Sequence, residues 1–316
     1  MPKKILIVKT TSMGDVIHAL PAVADIKRVF ADAQVDWVVE NSFSDIVHLS
    51  PLVSVVHCVA VRHWRKALLS RATWQAVGAV KTALKDAHYD CVIDLQGLVK
   101  SAVIARWAKA PIYGYDRYSI KEPTASRFYQ KTFTVSREMN AVERCRALCA
   151  QSLGYDYRDL PLQFSLSAPV RKEAAPYAAF LVNTSRETKL WNEQKWIELG
   201  RYCLTRGLNV HFLWASESEH ERVQRLAQAI GQGAQVHPRM KIAECASVLA
   251  GAELVVGVDT GLTHLAAALD RPSVGMFLDY PVHLVALTGQ KVKSLGGVGA
   301  DPRVDEIIQA IAEVQG

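Results

Sequence analysis

The sequence has no apolar run near the roughly 20 residues that a membrane span requires. It also has no C-x-x-C pair, no low-complexity tract and no tandem repeat of fixed period. Its start, Met1-Pro2-Lys3-Lys4, leads straight into a strand-like run and lacks the h-region and small-residue cleavage site of a signal peptide. The loop after that run is neither G-x-G-x-x-G nor G-x-x-x-x-G-K-[ST], which excludes a dinucleotide fingerprint and P-loop chemistry there. Six cysteines (Cys58, Cys91, Cys145, Cys149, Cys203, Cys245) fall within apolar or helical patterns, and no histidine stands near Cys145 and Cys149 to complete a metal site. Reduced, buried thiols and a cytoplasmic setting are the expectation. With 50% hydrophobic and only 22% charged residues over 316 positions, disorder is excluded and two domains of ordinary size fit the length.

What the chain does have is unevenly distributed charge. Residues 1–160 carry 22 Lys plus Arg against 15 Asp plus Glu, a balance of +7, whereas the remainder stands at −1. The first half therefore invites an anionic partner: nucleic acid, a membrane surface or an acidic substrate.

Strand and helix patterns alternate. Lys4–Thr10 (KILIVKT) reads as a strand buried on both faces, followed by a helix from about Asp15 to Phe30 with Val16, Leu20, Val23, Ile26 and Phe30 on one stripe. Further strands are expected at Val35–Glu40, Val53–Val61 and Cys91–Leu95, with helices at Trp74–Ala87 and Leu98–Ala108. The rhythm breaks across Arg158–Pro176, which holds Pro161, Pro169 and Pro176, and then restarts. Strands at Ala178–Thr184, Asn209–Trp214, Gln235–His237, Leu254–Val258 and Ser273–Leu278 alternate with helices at Glu193–Thr205, Glu219–Ile230, Ile242–Ala250 and Leu262–Leu269. An amphipathic helix over Val304–Val314 closes the chain. The fold class expected is α/β: two Rossmann-like parallel-sheet domains facing each other across a cleft. The expected division is 1–160, a linker at 161–176, 177–302, and a closing helix at 303–316.

In open α/β sheets, ligands gather beyond the carboxyl ends of strands, at helix N-termini. Two such ends carry unusual residues. The buried LVVGV strand runs into Asp259-Thr260-Gly261-Leu262-Thr263-His264. Free N–H groups of that helical turn and the Thr260 hydroxyl would make an anion pocket, Gly261 would admit a phosphate close to the backbone, and His264 could add a donor. The alternative is that Asp259 only caps the helix and His264 only packs. At the first strand end, Thr10-Thr11-Ser12-Met13-Gly14-Asp15 offers one carboxylate, Asp15, as a general base or as a cap. A third loop, Thr184 to Trp191, sets Thr184, Ser185 and Lys189 where a diphosphate could be neutralised without a metal, and it contains no aspartate for Mg²⁺. A fourth feature, Arg62-His63-Trp64-Arg65-Lys66 with Arg71 nearby and Lys121, Arg127 and Lys131 as extensions, is either a solvated face or an anion site.

These motifs, in this order, resemble the bacterial lipopolysaccharide heptosyltransferases, glycosyltransferase family nine of the GT-B fold. The matching stretches are KILIVKTTSMGDVIHALPAV, VRHWRKA, YDCVIDLQGLVKSA, TSRETKLWNEQKW and MKIAECASVLAGAELVVGVDTGLTHLAAALDRP, nearly the whole chain. The resemblance implies an inverting, metal-independent transferase that needs no cofactor. It would move L-glycero-D-manno-heptose from ADP-heptose to a Kdo sugar of Kdo-lipid A, in the cytoplasm and peripherally on the anionic inner-membrane surface, with no nucleic acid involved. By position, Asp15 would deprotonate the Kdo hydroxyl. Thr184, Ser185, Lys189, Thr260, Gly261 and His264 would hold the ADP diphosphate, Asp259 the donor sugar, Glu219 the ribose and Met240 the adenine. Arg62, His63, Arg65, Lys66 and Lys121 would face the acceptor's carboxylates and phosphates. The chain departs from the family at Phe277–His283, where a Gly-Pro-Thr-rich turn with a following Asp-Pro is usual, and at His63 and Lys121, where arginine is expected. A sister transferase acting further out in the core, a nucleotide-sugar epimerase and a non-catalytic lipid A-binding module are the other readings.

Overall fold

The computed structural model describes residues 3–316; Met1 and Pro2, which open the stretch read as lacking a signal peptide, lie outside the described residues. The chain divides into two compact units, the first ending at Ser165 and the second beginning at Leu166.

The first unit runs β1 (Lys4–Val8), α1 (Met13–Val29), β2 (Gln34–Glu40), α2 (Ser44–His48), β3 (Val56–Val59), α3 (Val61–Trp64), α4 (Arg71–Asp86), β4 (Cys91–Asp94), α5 (Val99–Ala105), β5 (Ile112–Tyr115), β6 (Lys131–Phe133) and α6 (Ala141–Leu153). Its six strands are all parallel, in the order β3-β2-β1-β4-β5-β6. Ile5, Leu6, Ile7 and Val8 of the central strand are fully buried, as a strand covered on both faces requires. Each such side chain contributes roughly 1.5–3 kcal/mol. Helices α1 and α6 pack together around one buried ion pair: Arg146 Nε donates to Asp25 at 2.7 Å, and the same guanidinium caps the carbonyls of Tyr157 and Leu160. Burial pushes the Asp25 carboxyl up and the Arg146 pairing opposes it.

The second unit runs β7 (Tyr177–Leu181), α7 (Glu193–Thr205), β8 (Asn209–Phe212), α8 (Glu217–Ile230), β9 (Ala234–Val236), α9 (Ile242–Gly251), β10 (Leu254–Val258), α10 (Gly261–Ala268), β11 (Ser273–Phe277), α11 (Val282–Val285), β12 (Val292–Gly296) and α12 (Val304–Gln315). Its sheet is again all parallel, ordered β12-β11-β10-β7-β8-β9. Counted from each unit's own first strand, the two orders are the same 3-2-1-4-5-6 arrangement of a doubly wound sheet. One core cluster joins Phe180, Trp196, Phe212 and Met276 to Ile307, Ile311 and Val314, so α12 closes this sheet.

Several boundaries differ from those expected. Helix α1 starts at Met13, two residues before Asp15, because Ser12 rather than Asp15 is the N-cap. Strand β3 is only Val56–Val59: Val55 is exposed and Val61 already begins α3. Helix α5 ends at Ala105, and its last turn tightens to a 3-10 form closed by Lys109 in the left-handed region.

Candidate functional site

A doubly wound sheet opens a crevice where strand order reverses, beyond the carboxyl ends of the two central strands. In the first unit these are β1 and β4, and in the second β7 and β10.

At the end of β1, Lys9, Thr10 and Thr11 are buried and lead to the cap residue Ser12. The Ser12 N–H and hydroxyl both donate to Asp15 Oδ2, at 2.9 and 2.8 Å. Lys9 Nζ donates to the Leu95 carbonyl at 2.9 Å and stands 3.7 Å from Asp15 Oδ1. Burial acts to raise the Asp15 pKa, but the Lys9 charge, the Ser12 bonds and His18 together hold it down at about 2. The carboxylate is thus ionised, yet its side chain is 46% exposed and open to a ligand.

The end of β4 holds this loop in place. Gln96 Oε1 accepts from the N–H groups of Thr10 and Thr11 at 2.9 and 3.0 Å, and from the Thr10 hydroxyl at 3.3 Å. Gln96 N in turn donates to Asp94 Oδ1, and Asp94 Oδ2 accepts from Ser101 and Tyr129 hydroxyls. Lys9, Asp94 and Gln96 did not stand out in the sequence. Their one signal is a run of polar residues at the carboxyl end of a buried strand.

The basic cluster follows β3. Trp64 is buried and anchors α3, while Arg62, His63, Arg65 and Lys66 are exposed. Glu40, at the end of β2, accepts from the N–H groups of Val61 and Arg62 at 3.3 Å each, which sets the turn. Lys121 is also exposed, just before the 3-10 segment Pro123–Phe128. Leu68, Leu69 and Trp74 are exposed apolar residues beside the cluster.

In the second unit, the structure brings Thr184, Lys189, Asp259 and His264 together. Lys189 Nζ donates to Asp259 Oδ2, His264 Nε2 lies 3.6 Å from Asp259 Oδ1, and the Thr184 hydroxyl donates to the Asp259 carbonyl at 3.1 Å. Burial would raise the Asp259 pKa, but the bonds and charges of His264 and Lys189 hold it at about 2. Thr260 is the N-cap of α10, and its carbonyl takes the N–H groups of Thr263 and His264. The N–H groups of Gly261 and Leu262, at the start of the turn, face outward as helix geometry demands. Helix α10 can sit this close to β10 because position 257 is glycine: a Cβ there would lie 2.2 Å from Thr263 Oγ1. Ser185 is exposed on the loop before Lys189.

One residue in this group was not anticipated. Asp279, in the turn that departs from the family pattern, accepts from Thr188 Oγ1 at 2.9 Å and Arg186 Nη1 at 3.3 Å, with its other oxygen 3.9 Å from Lys189 Nζ. The Thr184–Trp191 loop lacks aspartate, as read from the sequence, but two aspartates from other strand ends converge on its lysine. Glu219 stands apart from this group: its carboxylate accepts from the N–H groups of Ala215 and Ser216 at the start of α8. Met240 is partly buried in the loop between β9 and α9.

Residues 77–304 match the family described as glycosyltransferase family 9 (heptosyltransferase). Lipopolysaccharide heptosyltransferase 1 of Pseudomonas aeruginosa is 45% identical over 281 residues, covering 87% of this chain and 78% of that protein. The solved structure of E. coli heptosyltransferase WaaC with ADP superposes with a TM-score of 0.91 at 37% identity, covering 98% of this chain and 99% of that one. The same E. coli protein solved with ADP-2-deoxy-2-fluoro heptose gives a TM-score of 0.87.

Proposed function

The chain belongs to glycosyltransferase family 9, the heptosyltransferases, and on that footing we propose that it transfers L-glycero-D-manno-heptose from ADP-heptose to the Kdo sugar of Kdo-lipid A. The reaction is inverting, needs no metal ion, and builds the lipopolysaccharide inner core. The observation that carries the donor half is the Lys189–Asp259–His264 group at the switch point of the second sheet. A relative that superposes over nearly the whole chain is solved with ADP and with a fluorinated ADP-heptose.

In this reading Lys189, His264, the hydroxyls of Thr184, Ser185 and Thr260, and the Gly261 N–H receive the diphosphate. Asp259 holds the heptose, Glu219 the ribose and Met240 the adenine. Lys189 supports metal independence: its ammonium lies against the carboxylates of Asp259 and Asp279, where a divalent ion would otherwise be drawn. As the anomeric C–O bond to the diphosphate breaks, Lys189 exchanges its carboxylate partner for the developing phosphate charge. Asp15 takes the proton of the Kdo hydroxyl as that oxygen attacks from the opposite face, which inverts the anomeric centre. An acceptor seated over the half-exposed carboxylate removes water from it and raises its basicity from the low resting value.

Arg62, His63, Arg65, Lys66 and Lys121 meet the acceptor's carboxylates and phosphates. With Leu68, Leu69 and Trp74 exposed alongside, the same surface supports peripheral attachment to the anionic cytoplasmic face of the inner membrane. Among the described residues no helix is long and apolar enough to cross a membrane. The domain assignment follows these roles: acceptor binding at 1–160, a linker at 161–176, nucleotide-sugar binding at 177–302 and a closing helix at 303–316.

The test is incubation of the purified protein with ADP-heptose and Kdo-lipid A in excess EDTA, read by mass spectrometry. Heptosylated lipid is the expected product. Product only from an already heptosylated acceptor would move the assignment further out in the core. Product only after magnesium is restored would overturn metal independence.

A further inference from the structure

The second unit contains a cluster that the transfer reaction does not use. Val210 and Phe212 of β8 point into the core with Phe180, so His211 between them points to the opposite face of the sheet. There it stacks on Tyr177, with ring centroids 4.1 Å apart and planes 11° from parallel. His237, one residue beyond β9, meets it edge-on, with His237 Nε2 3.1 Å from His211 Nδ1. Glu173, in the segment that enters β7, brings a carboxylate oxygen, so that one ligand atom from each of the three residues lies within 4.8 Å of the others. His211 and His237 are 2% and 1% exposed.

We propose that Glu173, His211 and His237 form a divalent metal site, suited to zinc, that fastens the segment entering the second unit to the β8 and β9 ends of its sheet. The donor set is two imidazole nitrogens and one carboxylate oxygen, the borderline-hard set zinc accepts, with a fourth position left for water on the solvent side of Glu173. The spacing agrees with this. Two nitrogens each roughly 2.0–2.1 Å from a tetrahedral zinc stand about 3.3 Å apart, near the separation seen between the rings.

The two rings share one hydrogen bond, between His237 Nε2 and His211 Nδ1 at 3.1 Å, while His237 Nδ1 has no partner; moving the shared proton to His237 Nδ1 leaves both facing nitrogens with lone pairs for an ion. Arg171 brings a positive charge close to both rings. Its Nε donates to Glu173 Oε1 at 2.7 Å, which leaves the second carboxylate oxygen for the ion and orients the ligand. This inference is independent of the acceptor and donor assignments above.

The experiment strips the full-length protein with EDTA, dialyses it, and titrates it with zinc by calorimetry and with cobalt by visible absorption. The wild type is expected to bind one zinc per chain, to show the absorption of tetrahedral cobalt, and to melt at higher temperature with zinc. Glu173→Gln removes a ligand from a partly exposed segment and should leave the fold intact. It should weaken zinc at least about tenfold, the lower bound seen even for residues that only support a ligand. His88→Asn, an exposed histidine elsewhere, should bind as the wild type does. A wild type that binds no zinc, or a Glu173→Gln variant that binds it equally well, would overturn the site; the second outcome would assign the metal to other side chains.

Discussion

Replacing Asp15 by Asn tests the proposed mechanism with little structural disturbance. The amide oxygen can still accept from the Ser12 N–H and hydroxyl, so the start of α1 keeps its cap. What disappears is the negative charge facing Lys9 at 3.7 Å and the capacity to take a proton. The folded-state pKa of about 2 lies below the ordinary 3.8. Because the side chain is 46% exposed, water screens most of that difference. The stability lost is about 1 kcal/mol or less, a fall in Tm of roughly 2–4 °C. Loss of a positioned general base costs roughly 10²- to 10⁴-fold in kcat, about 3–5 kcal/mol on the barrier. The residues proposed to bind ADP belong to the other unit, so ADP affinity measured by calorimetry should be unchanged. Transfer to the Kdo acceptor, followed by mass spectrometry under single-turnover conditions, should fall by at least two orders of magnitude. Turnover within about tenfold of the wild type would refute the assignment, since a carboxamide cannot serve as the base.

Lys189→Met should weaken ADP roughly 10- to 100-fold by calorimetry, the scale of one lost charge-assisted bond to phosphate; unchanged affinity would remove Lys189 from the diphosphate site. The same variant bears on acid stability. Asp259 is depressed from 3.8 to about 2, so its contribution is fully present above the ordinary value and is lost as pH falls through about 2. With Asp259 only 14% exposed the effect is on the order of 2 kcal/mol, and the stability gap between wild type and Lys189→Met, measured by urea unfolding, should narrow from pH 5 down to about pH 2. Arg65→Glu should raise the acceptor KM at least about tenfold while ADP affinity stays constant; an unchanged KM would place the acceptor elsewhere.

The alternation of strand and helix was legible because a parallel sheet buried on both faces writes continuous apolar runs into the sequence. Strand order was not, since it depends on pairings such as Ile5 with Cys91 that no local pattern encodes. The missed strands are the short outer ones, IYGY, KTF and VKSLG, whose half-polar composition hides them among loops. At the site, Asp15 and Asp259 were legible because each follows a conspicuous buried strand and precedes a helix. Gln96 was not: it meets Thr10 across 86 residues of sequence. Asp279 was obscured for a different reason. It lies where the chain departs from its family's turn, and only the fold shows that it faces Thr188 and Lys189.

The two strand-end aspartates are built alike but are not equivalent. Each is paired with a lysine and held at about 2. Lys9, however, is buried and committed to the Leu95 carbonyl, so it cannot follow a ligand. In the proposed mechanism it acts as a fixed charge that keeps Asp15 ionised until an acceptor displaces water from it. Lys189 sits on a 3-10 turn, and its partners are side-chain carboxylates, Asp259 and Asp279. Exchanging a carboxylate for a phosphate oxygen costs such a lysine far less than exposing a buried charge anew, because one ion pair replaces another. Under the proposed mechanism Lys9 is thereby suited to tuning a base and Lys189 to gripping a leaving group. That division follows from where each ammonium finds its second partner: on the backbone for Lys9, on a second carboxylate for Lys189.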